Sequence, residues 1–285
     1  MSVAVAAPGA RTPTDWSGVI LKVYVALFLG FMFLPILLMA GAAFNANPTP
    51  SALDWRGFTT DWFTGRTDEA GRVIVRGLPQ ETRFLQGLKH SILIALGVIA
   101  ISVPLGLAGA LLLTRIGSKA TGPLYTALVS PLLTPGIVLG VSTMIFWRDA
   151  FGVQAGLFTA MLAQSCFIAS YCMLMFMARL QRQDRSLEEA ALDLGASGFF
   201  AFRRVTLPYL TPTIVAASAI AFLQSNENYN TTFFAIGSSW TLVTEIGARM
   251  RFGVSPTINA IGVIFILLTV VFAALWAFSL RKKTA

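Results

Sequence analysis

The sequence has 285 residues, of which 55% are hydrophobic and only 12% are charged, and its formal net charge is +8. Soluble domains carry about a quarter charged residues, so this composition argues against a soluble protein and indicates several membrane-spanning helices. The positive charges lie between apolar segments, where membrane topology explains them, and we therefore expect no nucleic-acid partner.

The N-terminal third combines one apolar segment with the longest polar stretch of the chain. Residues 1–17 are rich in small residues and predict a disordered cytoplasmic tail. The apolar run 18–44 is long enough to cross a bilayer, and we expect an uncleaved membrane helix there. Residues 45–89 predict a periplasmic loop with a small hairpin in which Val73–Val75 is a strand. The position of this loop makes it a candidate docking surface for a soluble partner.

Five more apolar segments follow within residues 90–280, and the chain ends in a basic tail, 281–285. The predicted membrane helices are 91–114, 123–147, 151–178, 207–225 and 257–280. The segment 123–147 begins at Pro123, also carries Pro131 and Pro135, and is predicted as one span. Glycines four residues apart, Gly136 with Gly140 and Gly152 with Gly156, predict close contacts between helices.

The distribution of basic residues predicts the topology. Arginines concentrate in the segment 179–204, and Arg and Lys also close the sequence in the C-terminal tail. Because cytoplasmic loops carry an excess of Lys and Arg, both termini are expected in the cytoplasm. The sequence therefore predicts an all-α membrane protein with six transmembrane helices.

Enzyme signatures are absent from the sequence. It contains no Gly-rich phosphate loop ending in Lys-Ser/Thr, no HExxH, no CxxC and no GxSxG. Cys166 and Cys172 fall in one predicted helix and are interpreted as small buried apolar residues. The single histidine, His90, has no His or Cys near it in sequence, so neither a catalytic nor a metal site is predicted.

The segment 186–208 lies between the fourth and fifth predicted spans and has the pattern of a short helix followed by a return arm. Ser186 is predicted to cap this helix, with Glu189 as its capping-box partner. Gly195 can end the helix with a positive φ. Pro208 begins the next span, where its missing N–H costs little.

The spacing of this segment resembles the EAA loop of the permease subunits of bacterial ATP-binding-cassette (ABC) importers, which have the type I, MetI-like fold. In that family the short helix is the coupling helix, which sits in a groove of the ATPase subunit. The resemblance implies this role for the matching positions, which are Glu189, Ala190, Ala191, Gly195, Leu207 and Pro208.

The same resemblance implies the partners of the chain. They are a second homologous permease subunit, two ATPase subunits, a periplasmic substrate-binding protein and the lipid bilayer of the bacterial inner membrane. ATP and Mg would be used by the ATPases, and this chain would bind no cofactor and catalyse no reaction. The segments 128–142 and 251–265 resemble most the spermidine/putrescine permease branch.

A polar cluster at 224–232 follows the fifth predicted span, and Glu227 is its single acidic residue. An ionisable side chain near membrane depth is costly, which makes it a candidate for the transport path. The predicted substrate path consists of Asn226, Glu227, Asn228, Tyr229 and Asn230. The alternative is that the cluster ends the span at the outer water interface and that Glu227 pairs with Arg249 or Arg251.

Together these features predict the permease subunit of an ATP-driven importer for a small organic cation such as putrescine or spermidine. Another solute, aminoethylphosphonate or a ferric ion, stays open. A proton-coupled secondary transporter, in which Glu227 takes up a proton, and a membrane scaffold that transports nothing are the rival hypotheses.

Overall fold

The structure is a computed structural model, and it describes residues 16–49, 51, 54–115, 120–251 and 255–284. The predicted tail 1–17 lies outside the described residues except for its last two. The chain divides into two compact units, the first containing residues up to 80 together with those from 254 onward, and the second containing residues 81–253.

The first unit combines two long apolar helices with a small folded loop. Its elements are α1 (Trp16–Ala42), α2 (Asp61–Thr64), β1 (Arg66–Thr67), β2 (Val73–Val75), a 3-10 turn (Leu78–Gln80) and the C-terminal helix α12 (Pro256–Thr284). Strand β2 is the strand predicted from the sequence, and it pairs antiparallel with β1. Helix α12 belongs to the same unit as α1, whereas the sequence analysis grouped it with the helices of residues 90–280.

A buried asparagine organises the folded loop of the first unit. The Asn45 amide donates to the carbonyls of Ser51 and Asp54, both at 2.8 Å, and its side-chain oxygen accepts the backbone N–H of Arg56 at 2.9 Å. The indole N–H of Trp62 donates to the Asn45 carbonyl at 2.8 Å. One side chain thus satisfies several loop backbone groups that burial would otherwise leave unpaired.

The second unit contains the remaining helices. They are α3 (Thr82–Arg115), α4 (Thr121–Leu133), α5 (Gly136–Phe151), α6 (Leu157–Leu180), α7 (Ser186–Asp193), α8 (Gly198–Ala201), a π-helical segment (Phe202–Thr206), α9 (Leu207–Glu227), α10 (Asn230–Ala235) and α11 (Leu242–Met250). Helices α3, α6 and α9 pack against one another around a fully buried core that includes Val98, Ile168 and Leu210.

Helix α3 begins at Thr82, inside the segment predicted as loop up to residue 89. Phe84, Gly87 and Ser91 are buried on one face of this extension, and polar residues lie between them. The polar residues favoured a loop in the sequence, but their spacing is that of an amphipathic helix that continues beyond the apolar run.

The predicted span 123–147 is wrong as a single helix. It consists of α4 and α5, which meet at an angle of 106°. Thr134 between them has extended backbone angles, with φ −84° and ψ 130°. Pro135 explains the break, because proline disfavours helical geometry in the preceding residue and cannot donate a helical hydrogen bond.

Four of the described helices are long and apolar enough to cross a membrane, and the bent pair α4–α5 makes a fifth if it is counted as one span. They are α1, α3, α6 and the helix that runs from residue 198 to residue 227. In α12 the described residues contain a further apolar stretch, Pro256–Val271, which is shorter than these helices. The predicted helical membrane class agrees with this architecture, while the number of six spans and the cytoplasmic termini stay predictions.

One of the two predicted glycine pairs brings helices together. A Cβ atom at Gly136 would lie 2.8 Å from Thr231 Oγ1, and one at Gly140 would lie 2.5 Å from the Thr231 carbonyl, so α5 touches α10 along these glycines. The pair Gly152 and Gly156 does not act in this way. Gly152 ends α5 with φ 66° and Gly156 caps α6.

We expect Gly140→Ala to destabilise the protein by about 1–3 kcal/mol, because the added methyl group has to displace backbone of α10. Gly122→Ala is the matched control, since nothing lies within 4 Å of a Cβ atom at Gly122. Thermal unfolding of both variants in detergent measures the difference. Equal melting midpoints for the two variants would contradict the close contact between α5 and α10.

Candidate functional site

The short helix predicted after the fourth span is α7, Ser186–Asp193. Beyond it, Gly195 has φ 84°, the positive value that the sequence predicts. The N–H of Ala196 donates to the Ala191 carbonyl at 3.0 Å and that of Gly195 to the Leu192 carbonyl at 2.9 Å. These bonds close the helix in the manner of a Schellman motif, in which a glycine without Cβ adopts the left-handed conformation.

The predicted cap of this helix is wrong. Ser186 is the first residue inside α7, and its backbone N–H donates to Asp184 Oδ1 at 3.0 Å. The hydrogen bonds from the backbone and side chain of Ser186 lower the pKa of Asp184. Arg185 directly precedes the helix without a side-chain cap, and the short carboxylate of Asp184 instead binds the backbone two residues ahead of it.

The side chain of Glu189 makes no hydrogen bond or ion pair within the described part of the chain, and Glu189 is exposed together with Ala190 and Gly195. Large apolar side chains are exposed beside them, with exposed fractions of 59% for Leu187 and 89% for Leu194. Exposed apolar side chains grouped on one surface mark a site of contact with another molecule. The matched motif thus presents its carboxylate and its apolar side chains outward.

The return arm leads into α9 through α8 and the π-helical segment. Leu207 and Pro208 are the first two residues of α9, as the motif predicts. The sequence analysis did not single out Glu188, which is the neighbour of the motif carboxylate. Glu188 forms an ion pair with Arg115 of α3 at 2.8 Å. Its only signal in the sequence was that two glutamates, rather than one, precede the two alanines.

A cavity of about 340 Å³ lies where the break between α4 and α5 meets the break between α9 and α10. Four of the five predicted substrate-path residues line it, namely Glu227, Asn228, Tyr229 and Asn230. Asn226 does not line the cavity, because its amide turns back and donates to the Phe222 carbonyl of its own helix at 2.9 Å. Gln224 and Glu227, three residues apart on α9, line the cavity together with the residues of the break that follow them.

Glu227 is the only charged residue among those that line this cavity. Within the described residues no side chain donates to it or forms an ion pair with it. Arg249 pairs instead with Glu81 at 2.7 Å and with Glu245 at 2.9 Å, and Arg251 donates to the Tyr229 hydroxyl at 3.3 Å. The alternative in which Arg249 or Arg251 neutralises Glu227 therefore finds no support in these contacts.

A buried amide holds the break between α9 and α10, and the sequence analysis missed it. Gln164 of α6 is fully buried, accepts from Ser225 Oγ and donates to Thr232 Oγ1, both at 2.6 Å. Asn228 accepts the N–H groups of Thr231 and Thr232 at 3.1 and 3.3 Å. In hydrocarbon the free backbone groups of an interrupted helix need hydrogen-bond partners. Here the side chain of Asn228 is the partner of the Thr231 and Thr232 N–H groups.

Aromatic side chains form another part of the cavity wall. Phe167 and Tyr171 of α6 line it together with Tyr229, whose ring stacks on Phe233 with centroids 5.4 Å apart. A carboxylate beside aromatic faces attracts a cation, because both present negative electrostatic potential. The cavity therefore has the chemistry of a binding site for a small organic cation.

Comparisons with known proteins agree with this architecture. The chain is 24% identical over 262 residues to PotC, the spermidine/putrescine transport system permease protein of Escherichia coli strain K12, covering 92% of this chain and 94% of that protein. It is 29% identical over 251 residues to PotI, the putrescine transport system permease protein of the same strain, covering 85% and 84%. No model of a known protein family matches the sequence.

Solved structures of ABC transporters share the fold. A bacterial transporter involved in the import of the acidic polysaccharide alginate matches with a TM-score of 0.63 at 18% identity, over 94% of this chain and 96% of that chain. The same comparison with the alginate transporter in complex with its alginate pentasaccharide-bound periplasmic protein gives 0.61 at 17% identity, over 91% and 93%. The inward-facing methionine transporter MetNI matches at 0.58 and 19% identity, over 74% and 100%.

The chain has the fold of an ABC importer permease. The predicted resemblance to this family, and to its spermidine/putrescine branch, is confirmed.

A network of four charges joins α11 to the start of α3 in this chain. Glu245 is only 5% exposed and pairs with Arg83 at 3.0 Å and with Arg249 at 2.9 Å, and Arg249 also reaches Glu81 at 2.7 Å. The guanidinium of Arg249 lies 4.0 Å from the centre of the Phe84 ring. Burial acts to raise the pKa of Glu245, but its hydrogen bonds and charge interactions with both arginines outweigh burial and lower it.

The lowered pKa of Glu245 makes the stability of the protein depend on pH. Because the pKa of Glu245 is lower in the folded state, its contribution is fully present above the unfolded value of about 4.3 and is lost as the pH falls through the folded value. We expect the melting midpoint to drop across this acidic range. In Glu245→Gln the midpoint should be lower at neutral pH and should change less with acid.

The control for this experiment is Glu69→Gln, which alters an exposed carboxylate without a partner in the described residues. Its melting midpoint should follow the parent curve at every pH. If Glu245→Gln kept the full acid dependence of the parent, the assignment of that dependence to Glu245 would be wrong.

Proposed function

We propose that this chain is the transmembrane permease subunit of an ATP-driven, binding-protein-dependent importer that moves a polyamine-like organic cation, such as putrescine or spermidine, inward. The substrate class is inferred from Glu227, which is the single carboxylate among the described residues that line the cavity and has no side-chain partner among them. The similarity to PotC and PotI, named as permeases for spermidine/putrescine and for putrescine, supports the same class of solute.

The coupling function is proposed for the exposed side of α7. Glu189, Ala190 and Ala191 would seat in a groove of an ATPase subunit, with Gly195 setting the turn behind them. The exposed Leu194 supports this assignment, since a side chain that is 89% exposed on a folded loop has apolar surface available for a partner. The partner ATPases would bind ATP and Mg, and this subunit would hydrolyse nothing itself.

The proposed assembly in the bacterial inner membrane contains this chain, a second homologous permease subunit, two ATPase subunits and a periplasmic substrate-binding protein. The binding protein would deliver the solute to the outer face. Closure of the ATPase dimer would move the coupling helices, and the cavity at Glu227 would then open to the delivered solute. The complex of the alginate transporter with a periplasmic protein supports such an assembly for a chain with this fold.

The complete transporter, reconstituted in sealed vesicles with its binding protein, tests this function. Uptake of labelled putrescine should require ATP on the side of the ATPase subunits and should be unaffected by an uncoupler. Uptake without ATP that an uncoupler abolishes would support the secondary transporter instead. Competition by spermidine, aminoethylphosphonate or ferric ion identifies the solute, and competition only by one of the last two would contradict a polyamine substrate.

The role of Glu227 predicts that Glu227→Gln lowers putrescine uptake by about tenfold, equivalent to about 1.4 kcal/mol of lost charge interaction. The amount of assembled complex should not change, because Glu227 has no partner within the described residues. The control is the double variant Asn226→Asp with Glu227→Gln, which restores the charge one residue away and outside the cavity lining. It should remain as slow as the single variant, and recovery of uptake would show that position does not matter.

The coupling role predicts that Gly195→Val lowers the number of putrescine molecules imported per ATP hydrolysed by about tenfold. The reason is conformational, since a left-handed residue with a side chain costs about 1–2 kcal/mol and β-branched valine is among the least tolerant. Gly198→Val is the matched control, because Gly198 has no positive φ and no atom within 4 Å of a Cβ position. A loss of equal size in both variants would count against a special role for Gly195.

A further inference from the structure

The carboxylate of Glu188 accepts hydrogen bonds from three side chains. Arg115 Nη2 lies 2.8 Å from Oε2, Gln183 Nε2 lies 3.3 Å from Oε1, and the hydroxyl of Thr206 also donates to Oε1. The side chain of Glu188 is 22% exposed, and Thr206 is completely buried. The contact is thus a partly buried, charge-assisted cluster, which is stronger than an exposed ion pair.

The donors belong to different elements of the second unit. Arg115 is the last residue of α3, Gln183 follows the end of α6, and Thr206 directly precedes α9. The neighbouring Arg185 adds a second tie, because its guanidinium donates to the carbonyl of Thr114 in the last turn of α3. The helix α7 is therefore attached to the ends of the helices that form the packed core.

Thr206 occupies a special position in the chain. It ends the π-helical segment Phe202–Thr206, and such segments are often found at functional sites because they interrupt the regular helical ladder. Helix α9 then runs from Leu207 to Glu227, which corresponds to about 31 Å at 1.5 Å per residue. Thr206, which donates to Glu188, and Glu227, which lines the cavity, thus lie at opposite ends of α9.

Two adjacent carboxylates face different surroundings on α7. Glu189 is exposed and has no partner in the described part of the chain, whereas Glu188 is bound to α3 and to the start of α9. Successive residues point about 100° apart around a helix, so one can contact an outside partner while the other contacts its own chain. A movement imposed on α7 from outside reaches α9 through the contacts of Glu188.

We propose that Glu188 is a positioning residue that transmits the movement of α7 to α3 and α9 through Arg115 and Thr206. The inference rests on the proposed function, because the movement originates in the partner ATPases. Glu188 itself touches neither nucleotide nor solute. Its loss is therefore expected to separate ATP hydrolysis from import rather than to abolish either reaction at its own site.

The experiment uses the complete transporter in sealed vesicles and measures putrescine uptake and ATP hydrolysis in the same sample. In Glu188→Gln, hydrolysis should stay within about twofold of the parent, while putrescine imported per ATP falls by about tenfold or more, equivalent to at least about 1.4 kcal/mol. Thr206→Val removes only the hydroxyl donor and should lower the same ratio. It also provides a second test should Glu188→Gln fail to fold.

A double-mutant cycle distinguishes transmission from a general structural role. Arg115→Gln should lower the ratio as Glu188→Gln does, and the double variant should be no lower than either single variant, because the two side chains act as one unit. Arg115→Lys keeps the charge and should retain most of the ratio. Asp149→Asn, an exposed carboxylate elsewhere in the second unit, should leave it at the parent value.

Several results would overturn the inference. A purely structural role would reduce assembled complex, hydrolysis and uptake together and leave the ratio unchanged. Independent, additive losses in Glu188→Gln and Arg115→Gln would also contradict it. Failure of the proposed function has a different signature, since the parent transporter itself would then import putrescine without ATP.

Discussion

The constraint on which this structure depends is the need to satisfy backbone hydrogen bonds inside a membrane. Hydrocarbon offers no partner to a free N–H or C=O, and each unsatisfied group costs several kcal/mol. A helix can therefore be interrupted only where protein groups replace the lost bonds. Two interruptions lie side by side in this chain, one at Thr134 and Pro135 and the other at Asn228 and Tyr229. At the second, the side chain of Asn228 supplies replacement hydrogen bonds, because it accepts the backbone N–H groups of Thr231 and Thr232.

The same interruptions create the candidate transport site. Where the helices break, side chains and backbone border a cavity instead of a packed core, and Glu227 stands on its wall without a counter-ion in the described residues. The firm packing around it explains why this polar site can persist. Gly140 allows α5 to touch α10, and the buried amide of Gln164 ties α6 to both sides of the second break.

Three glutamates of the second unit show how surroundings decide the role of one residue type. Glu245 is buried between two arginines and stabilises the fold. Glu188 is shared among donors from separate elements, which makes it suited to transmit movement between them. Glu227 lines a cavity and has no side-chain partner among the described residues, which leaves its charge available to a cation. Helix α9 connects the last two, because Thr206 precedes its start and Glu227 is its last residue.

Reasoning from the sequence was sufficient for the helical membrane class, the strand Val73–Val75, the short helix of the segment 186–208 and the positive φ of Gly195. These features depend on local composition, spacing and turn chemistry, which a single chain segment already contains. The break of the predicted span 123–147 could be predicted only in part. Pro135 was a signal for it in the sequence, but proline also occurs within continuous membrane helices, as Pro104 does within α3.

Only the tertiary structure decided which side chains meet. Gln164 and Thr232 are 68 residues apart in sequence, and Arg115 and Glu188 are 73 residues apart, so no local pattern relates them. For the same reason the sequence could place Glu227 on the predicted substrate path but could not show that Arg249 pairs with Glu81 and Glu245. Spacing predicted the residues of 186–208 that are proposed to contact a partner, whereas the contacts of this segment with its own chain join helices that are distant in sequence.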